Sequence, residues 1–235
     1  MAKRKPGKSA ICSNNLELTT ITPLTPAQEE FFENYSSGKS QILLGYPGTG
    51  KTMLSMYKSL EQLINNPEYR QLVIVRSAVP TRDIGFLPGS EMEKSEVYEL
   101  PYKKICSDLF GRDDAYEILK KHNIIKFMTT SFVRGITLDD TILIVDECQS
   151  LNGHELSSIV TRIGSNAKIL FCGDFAQTDL TKSSERSGAP NFFSVLQNLP
   201  NHFSFNSFGE EDIVRSGLVK DFIKALYKQF PSGTI

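Results

Sequence analysis

The stretch Gly45-Tyr46-Pro47-Gly48-Thr49-Gly50-Lys51-Thr52 restricts what this chain can become more than any other segment. It fits G-x-x-x-x-G-K-[ST], follows the apolar run Ile42-Leu43-Leu44 and opens a helix-like segment, Thr52–Asn65. That is the strand–loop–helix setting in which the pattern has chemical meaning. Its glycines let successive backbone N–H groups turn inward to cradle phosphate oxygens, and the helix N-terminus adds partial positive charge. Lys51 would reach the β- and γ-phosphates and the Thr52 hydroxyl would sit on Mg²⁺. The plain alternative is a glycine-rich structural turn, which the strand before and the helix after argue against. Gly45 through Thr52 are therefore the expected nucleotide-binding residues, with ATP and Mg²⁺ as cofactors.

The rest of the chain has the layout such a loop requires. Short apolar runs at Gln41–Leu44, Leu72–Val75, Ile124–Met128, Thr141–Val145, Lys168–Cys172 and His202–Phe208 mostly lack polar alternation, as strands buried on both faces of a parallel sheet do. Helix-like segments at Thr52–Asn65, Pro101–Phe110, Asp114–His122, Gly153–Arg162, Asn191–Leu199 and Ile213–Phe230 separate or follow them. Thr25 reads as an N-cap with Pro26 in the first helical position. The alternation predicts one doubly wound α/β domain with a mostly parallel sheet over residues 23–230. Residues 1–22, with Lys3, Arg4, Lys5 and Lys8, read as a flexible basic tail with a short extended piece at Leu16–Ile21, and 231–235 as a second tail.

At 235 residues there is room for one sizeable domain but not for two nucleotide-binding lobes. A net charge of −1 gives no overall pull toward nucleic acid, so any such contact needs a local patch. No run approaches the ~18 apolar residues of a membrane span. Cys12, Cys106, Cys148 and Cys172 are scattered without a CxxC pair, which speaks against a disulfide framework or zinc site and for a reduced, cytoplasmic protein.

Two more strand ends carry chemistry. Thr141-Ile142-Leu143-Ile144-Val145 runs into Asp146-Glu147. Ligands of α/β sheets lie at the carboxyl ends of strands. Asp146 is expected to hold Mg²⁺ through the second coordination sphere and Glu147 to polarise the attacking water. Alone, two acids after a strand would be no more than a helix N-terminus; the upstream phosphate loop gives them their meaning. The next strand ends Phe171-Cys172-Gly173-Asp174-Phe175-Ala176-Gln177. Asp174 is a further nucleotide-site candidate, and the Gln177 amide would sense the γ-phosphate and orient the water, the alternative being an ordinary Gly-Asp turn.

With these motifs in place, the chain resembles the PhoH family, phosphate-starvation-inducible ATPases related to the first core domain of superfamily 1 helicases. The likeness rests on Leu24-Thr25-Pro26-Ala27-Gln28, Arg76-Ser77-Ala78-Val79-Pro80, Ile84-Gly85-Phe86-Leu87-Pro88-Gly89 and Ser131 to Leu138. It continues through Asp146 to Ser150, Thr161 to Gly164, Gly173-Asp174 with Gln177 and Asp179-Leu180, and Asp212 to Ser216, spanning about 24–228. The resemblance implies a RecA-like core, ATP hydrolysis, a helicase-like action on RNA or single-stranded DNA, and a homo-oligomer of which a hexameric ring is one form. It also likens Gln28 to the adenine-reading glutamine of helicases. The chain departs from the family pattern at Ile136, where a second arginine is common, at Cys148, where a small residue is usual, and over Thr181–Gly188. These departures bear on substrate contacts more than on ATP chemistry. No segment reads as the ribonuclease domain fused to some relatives, so nuclease activity is not expected.

ATP hydrolysis of this kind draws on an arginine near the γ-phosphate, worth ~10³–10⁵ in rate. Arg215, at the expected start of the last helix, is the candidate, within the subunit or across an interface; Arg134 and Arg162 are weaker ones. Arg76, Arg82, Lys94, Lys103 and Lys104, interleaved with Phe86 and Tyr98, could follow a nucleic-acid backbone, although Glu91, Glu93, Glu96 and Glu99 offset their charge. A nucleotide-dependent scaffold acting on a protein partner and a small-molecule kinase are the alternative functions.

Overall fold

In the computed structural model, residues 15–77, 91–133, 135–174 and 183–230 are described. The elements are α1 Pro26–Ser36, β1 Ser40–Gly45, α2 Lys51–Asn65, β2 Gln71–Arg76, α3 Glu91–Phe110, α4 Ala115–Lys121 and β3 Ile125–Thr129. They continue with α5 Thr130–Val133, β4 Thr141–Val145, a short 3₁₀ turn Cys148–Ser150, α6 Gly153–Val160, β5 Lys168–Gly173, α7 Ser183–Gln197, β6 Phe203–Phe208 and α8 Gly217–Gln229.

Six strands form one sheet in the order β3-β2-β4-β5-β1-β6, and all five pairings are parallel. Parallel strands need crossovers, and helices supply them on both faces. Burial follows: every residue of β4 and β5 is buried. One apolar layer gathers Phe31, Leu54, Leu60, Tyr102, Tyr116 and Leu170. The other gathers Val73, Leu143, Leu156, Phe171, Phe192 and Phe193, where Phe171, Phe192 and Phe193 meet edge to face with centroids 5.1–5.6 Å apart. The expected doubly wound sheet is what forms.

Local chemistry explains the well-placed boundaries. Thr25 caps α1 with Pro26 in the first turn, and Asn152 with Glu155 closes a capping box on α6. Other boundaries differ from the sequence expectation. α3 runs ten residues upstream of Pro101, where the helix was expected to start. Proline removes one helical hydrogen bond and favours a break, but tertiary bonds hold both sides here. Buried Glu99 accepts from Tyr116 at 2.8 Å and from Lys120 at 2.7 Å, and Tyr102 is fully buried. Likewise α7 includes Pro190 and begins before Asn191. The last helix begins at Gly217, after Ser216 as N-cap, so Arg215 belongs to the preceding loop and not to the helix. Within the expected tail, Leu16 is buried in the core and the Thr19 amide bonds the Leu109 carbonyl at 2.8 Å. Among the described residues no helix is long and apolar enough to cross a membrane.

Candidate functional site

The strand order brings the predicted motifs to one sheet edge with a refinement. β5 is inserted between β1, which feeds the phosphate loop, and β4, which ends at Asp146. Asp174, one residue past β5, thus stands between the loop and the acidic pair.

The loop Gly45–Gly50 links β1 to α2 with Gly45, Gly48 and Gly50 at φ of 134°, 73° and 88°, values that strain any side-chain-bearing residue. A β-carbon at Gly48 would stand 2.7 Å from Arg215 Cγ. The exposed Arg215 side chain therefore lies directly on the loop, and the neighbouring Val214 amide bonds the Gly48 carbonyl at 3.0 Å. Lys51 is almost buried, its ammonium donating to the carbonyls of Gly45 at 2.8 Å and Tyr46 at 2.6 Å. Burial pulls its pKa down, and Asp174, Cys172, Glu147 and Asp146 oppose that fall. The cation is thus held by neutral carbonyls that phosphate oxygens can replace. Thr49 packs inward, its hydroxyl donating to the Tyr46 carbonyl at 2.9 Å.

Thr52, in the first turn of α2, donates to Asp146 Oδ1 at 2.8 Å. A hydroxyl beside one carboxylate is a hard, sparse oxygen set, which fits Mg²⁺ because that ion keeps several waters and takes the rest of its ligands from phosphates. Among the described residues no cluster of three or more His, Cys, Asp or Glu offers a metal cage. Burial raises the Asp146 pKa, as does the negative charge of Glu147, while bonds from Thr52 and Tyr102 and the charge of Arg76 act the other way. Glu147 adopts the left-handed conformation, φ 51° and ψ 43°. A non-glycine residue there costs on the order of 1–3 kcal/mol and tends to mark a functional position. Gln149 Nε2 holds its carboxylate at 2.5 Å, and Gln149 Oε1 accepts the Asp174 amide at 3.1 Å. A single amide thereby bridges the ends of β4 and β5.

Gln28 sits behind the loop, buried, with both polar ends in use. Its Nε2 donates to the Thr49 carbonyl at 3.0 Å and its Oε1 accepts the Leu24 amide at 2.8 Å. Buried Asp174 accepts from the Tyr227 hydroxyl of α8, and the Tyr227 ring packs on Tyr46 of the loop with centroids 4.4 Å apart. Tyr102, Gln149 and Tyr227 are contributors that sequence reasoning missed. Gln149 alone carried a cue, its position two residues beyond Glu147. Pro47 and Gly50 keep their expected places in the loop. Gln177 and Arg134 lie outside the described residues. Arg162 follows α6 at the opposite edge of the sheet, where its carbonyl accepts the Leu138 amide just before β4. The length of β4, ~16 Å, therefore separates it from the phosphate loop within one subunit.

Comparison with known proteins identifies the family and the fold. The family model described as "PhoH-like protein" matches residues 20–227. A PhoH-like protein of Bacillus subtilis (strain 168) is 31% identical over 218 residues, covering 92% of this chain and 67% of that protein. One from Mycobacterium tuberculosis (strain ATCC 25618 / H37Rv) is 27% identical over 207 residues, covering 88% of this chain and 58% of the relative. The chain thus spans about three fifths to two thirds of the length of such relatives. Among solved structures, the large terminase from a thermophilic bacteriophage superposes with a TM-score of 0.57 at 12% identity, over 88% of this chain and 51% of its own, a likeness of fold. With the family match covering nearly the whole chain, over the loop, the acidic strand end and the closing helix alike, this protein belongs to the PhoH-like family.

Proposed function

We propose that the chain binds ATP·Mg²⁺ at Gly45–Thr52, hydrolyses it, and couples turnover to remodelling of RNA or single-stranded DNA as a homo-oligomer. The observation that carries hydrolysis is the Thr52–Asp146 contact with Glu147 held in a left-handed conformation immediately beside it. In this reading Thr52 and Asp146 hold the metal, and bound Mg²⁺ neutralises charge on the phosphates. Lys51 exchanges its loop carbonyls for phosphate oxygens, and Glu147 orients and deprotonates the water. Asp174, one residue past the inserted strand, and Gln177 sense the γ-phosphate, Arg215 offsets developing charge from its seat on Gly48, and Gln28 ties the loop to the adenine side.

The nucleic-acid part draws on the family resemblance and on Phe132, 59% exposed at the carboxyl edge of β3, where a base could stack. The fold likeness to a phage terminase is compatible with it. Two basic groups named from sequence are matched by acids: Lys103 pairs with Glu117 at 2.6 Å and Lys104 with Asp108 at 2.5 Å. Lys94 and Arg82 fall where side chains or backbone are outside the described residues. A second reading, a nucleotide-dependent scaffold, is favoured by the apolar face that Val214 and α8 leave in solvent at Leu218, Val219 and Phe222.

ATP turnover measured with and without poly-RNA or single-stranded DNA, beside Glu147→Gln, separates the two. Turnover stimulated by polynucleotide and abolished by the substitution supports the coupled ATPase. Turnover abolished by the substitution but indifferent to polynucleotide favours the scaffold.

A further inference from the structure

The two oxygens of Asp146 have different partners. Oδ1 accepts from Thr52, and Oδ2 accepts from the Tyr102 hydroxyl at 2.9 Å. Tyr102 comes from α3, a helix that belongs to none of the phosphate-site motifs. Its side chain is fully buried, with its ring against Phe127, centroids 5.8 Å apart. Arg76, the last residue of β2, lies near enough for its charge to act on both the Tyr102 hydroxyl and Asp146. The terminal torsion of an aspartate is broad and roughly two-fold. A carboxylate bonded at one oxygen could therefore swing, and the second bond, from a rigid buried ring, fixes its plane.

We propose that Tyr102 is a positioning residue for the divalent metal, its hydroxyl setting the Asp146 carboxylate so that Oδ1 faces Thr52; this rests on the reading of Asp146 as a metal-holding group. Partners of direct ligands typically account for 10–100-fold in metal affinity, and the low end applies to a carboxylate that holds the ion through water. Helix α3 thereby gains a physical link to the metal-holding carboxylate. Tyr102 bonds that carboxylate directly, while Arg76 acts on it through its charge.

The test is Tyr102→Phe, which keeps the ring and its packing and removes only the oxygen. Binding of a fluorescent ADP analogue is titrated in EDTA and then against Mg²⁺, with Asp146→Asn in parallel. The expected result is unchanged affinity in EDTA and a half-saturating Mg²⁺ concentration raised about tenfold. An unchanged Mg²⁺ dependence in Tyr102→Phe, while Asp146→Asn shifts it, overturns the positioning role and leaves the metal reading standing. No shift in Asp146→Asn removes the metal reading and this inference with it. Loss of affinity already in EDTA would mean that the hydroxyl supports the loop as a whole, which also overturns it.

Discussion

Lys168 begins β5 only 2% exposed, with no carboxylate paired to it among the described ion pairs. Its ammonium has two long contacts to neutral acceptors, the Tyr35 carbonyl and Gln62 Oε1, each at 3.3 Å, and lies 4.0 Å from the Tyr35 ring centroid. Burial, with Lys58 nearby, lowers its pKa from 10.5 to about 8. The unfolded chain therefore binds the proton more tightly than the folded one. Stability should rise with pH between about 8 and 10.5 and be lowest, on this account, below 8. The fall from 10.5 to about 8 corresponds to about 3 kcal/mol across the full window, of which roughly 1 kcal/mol falls between pH ~7 and ~9. Lys168→Met keeps the aliphatic stem and removes the charge. It should raise stability at neutral pH by on the order of 1–3 kcal/mol, as replacement of uncompensated buried charge does, and should remove this part of the pH slope. Urea unfolding of both proteins at the two pH values reads the difference as a midpoint shift of several tenths molar. If Lys168→Met lowers stability at pH ~7, or leaves the slope intact, then Tyr35 compensates the cation fully and the reasoning fails.

Two further outcomes follow from the loop. Gly48→Ala should cost on the order of 1–2 kcal/mol for its left-handed backbone, more as Arg215 is pushed aside. In a chain this size each kcal/mol lowers Tm by about 2–4 °C. Gly217→Ala, with open space around the new methyl group, is the control expected to stay near neutral. Arg215→Ala should leave nucleotide affinity nearly intact and reduce ATP turnover by ~10³-fold or more. Mixing it with Glu147→Gln subunits would restore turnover only if the arginine acts across an interface, and undiminished turnover in Arg215→Ala alone would dismiss the role.

What could be read in advance was whatever depends on neighbours along the chain. The central strands were visible because a strand buried on both faces is almost wholly apolar, and Thr141–Val145 matches to the residue. The loop and Asp146-Glu147 were visible because phosphate and metal chemistry fix residue types at fixed spacing. Strand order was not, since nothing local to Lys168–Gly173 says that it slips between β1 and β4. Tyr102 was hidden for the same reason: its partner is 44 positions away, and Pro101 beside it suggested a helix start where the helix continues. Arg215 lies against the phosphate loop but outside the helix expected to carry it, because the apolar spacing of the last segment extends upstream into Ile213, a buried loop residue, and Val214, an exposed one.

The contacts of Tyr227, Val214 and Arg215 with the phosphate loop give biosynthesis a direction. The loop is translated well before β6 and α8, which supply its floor and one wall. A growing chain exposes Gly45–Thr52 long before Phe208, Val214 and Tyr227 exist to brace it. These contacts with the phosphate loop can therefore form only once α8 has been synthesised and docked.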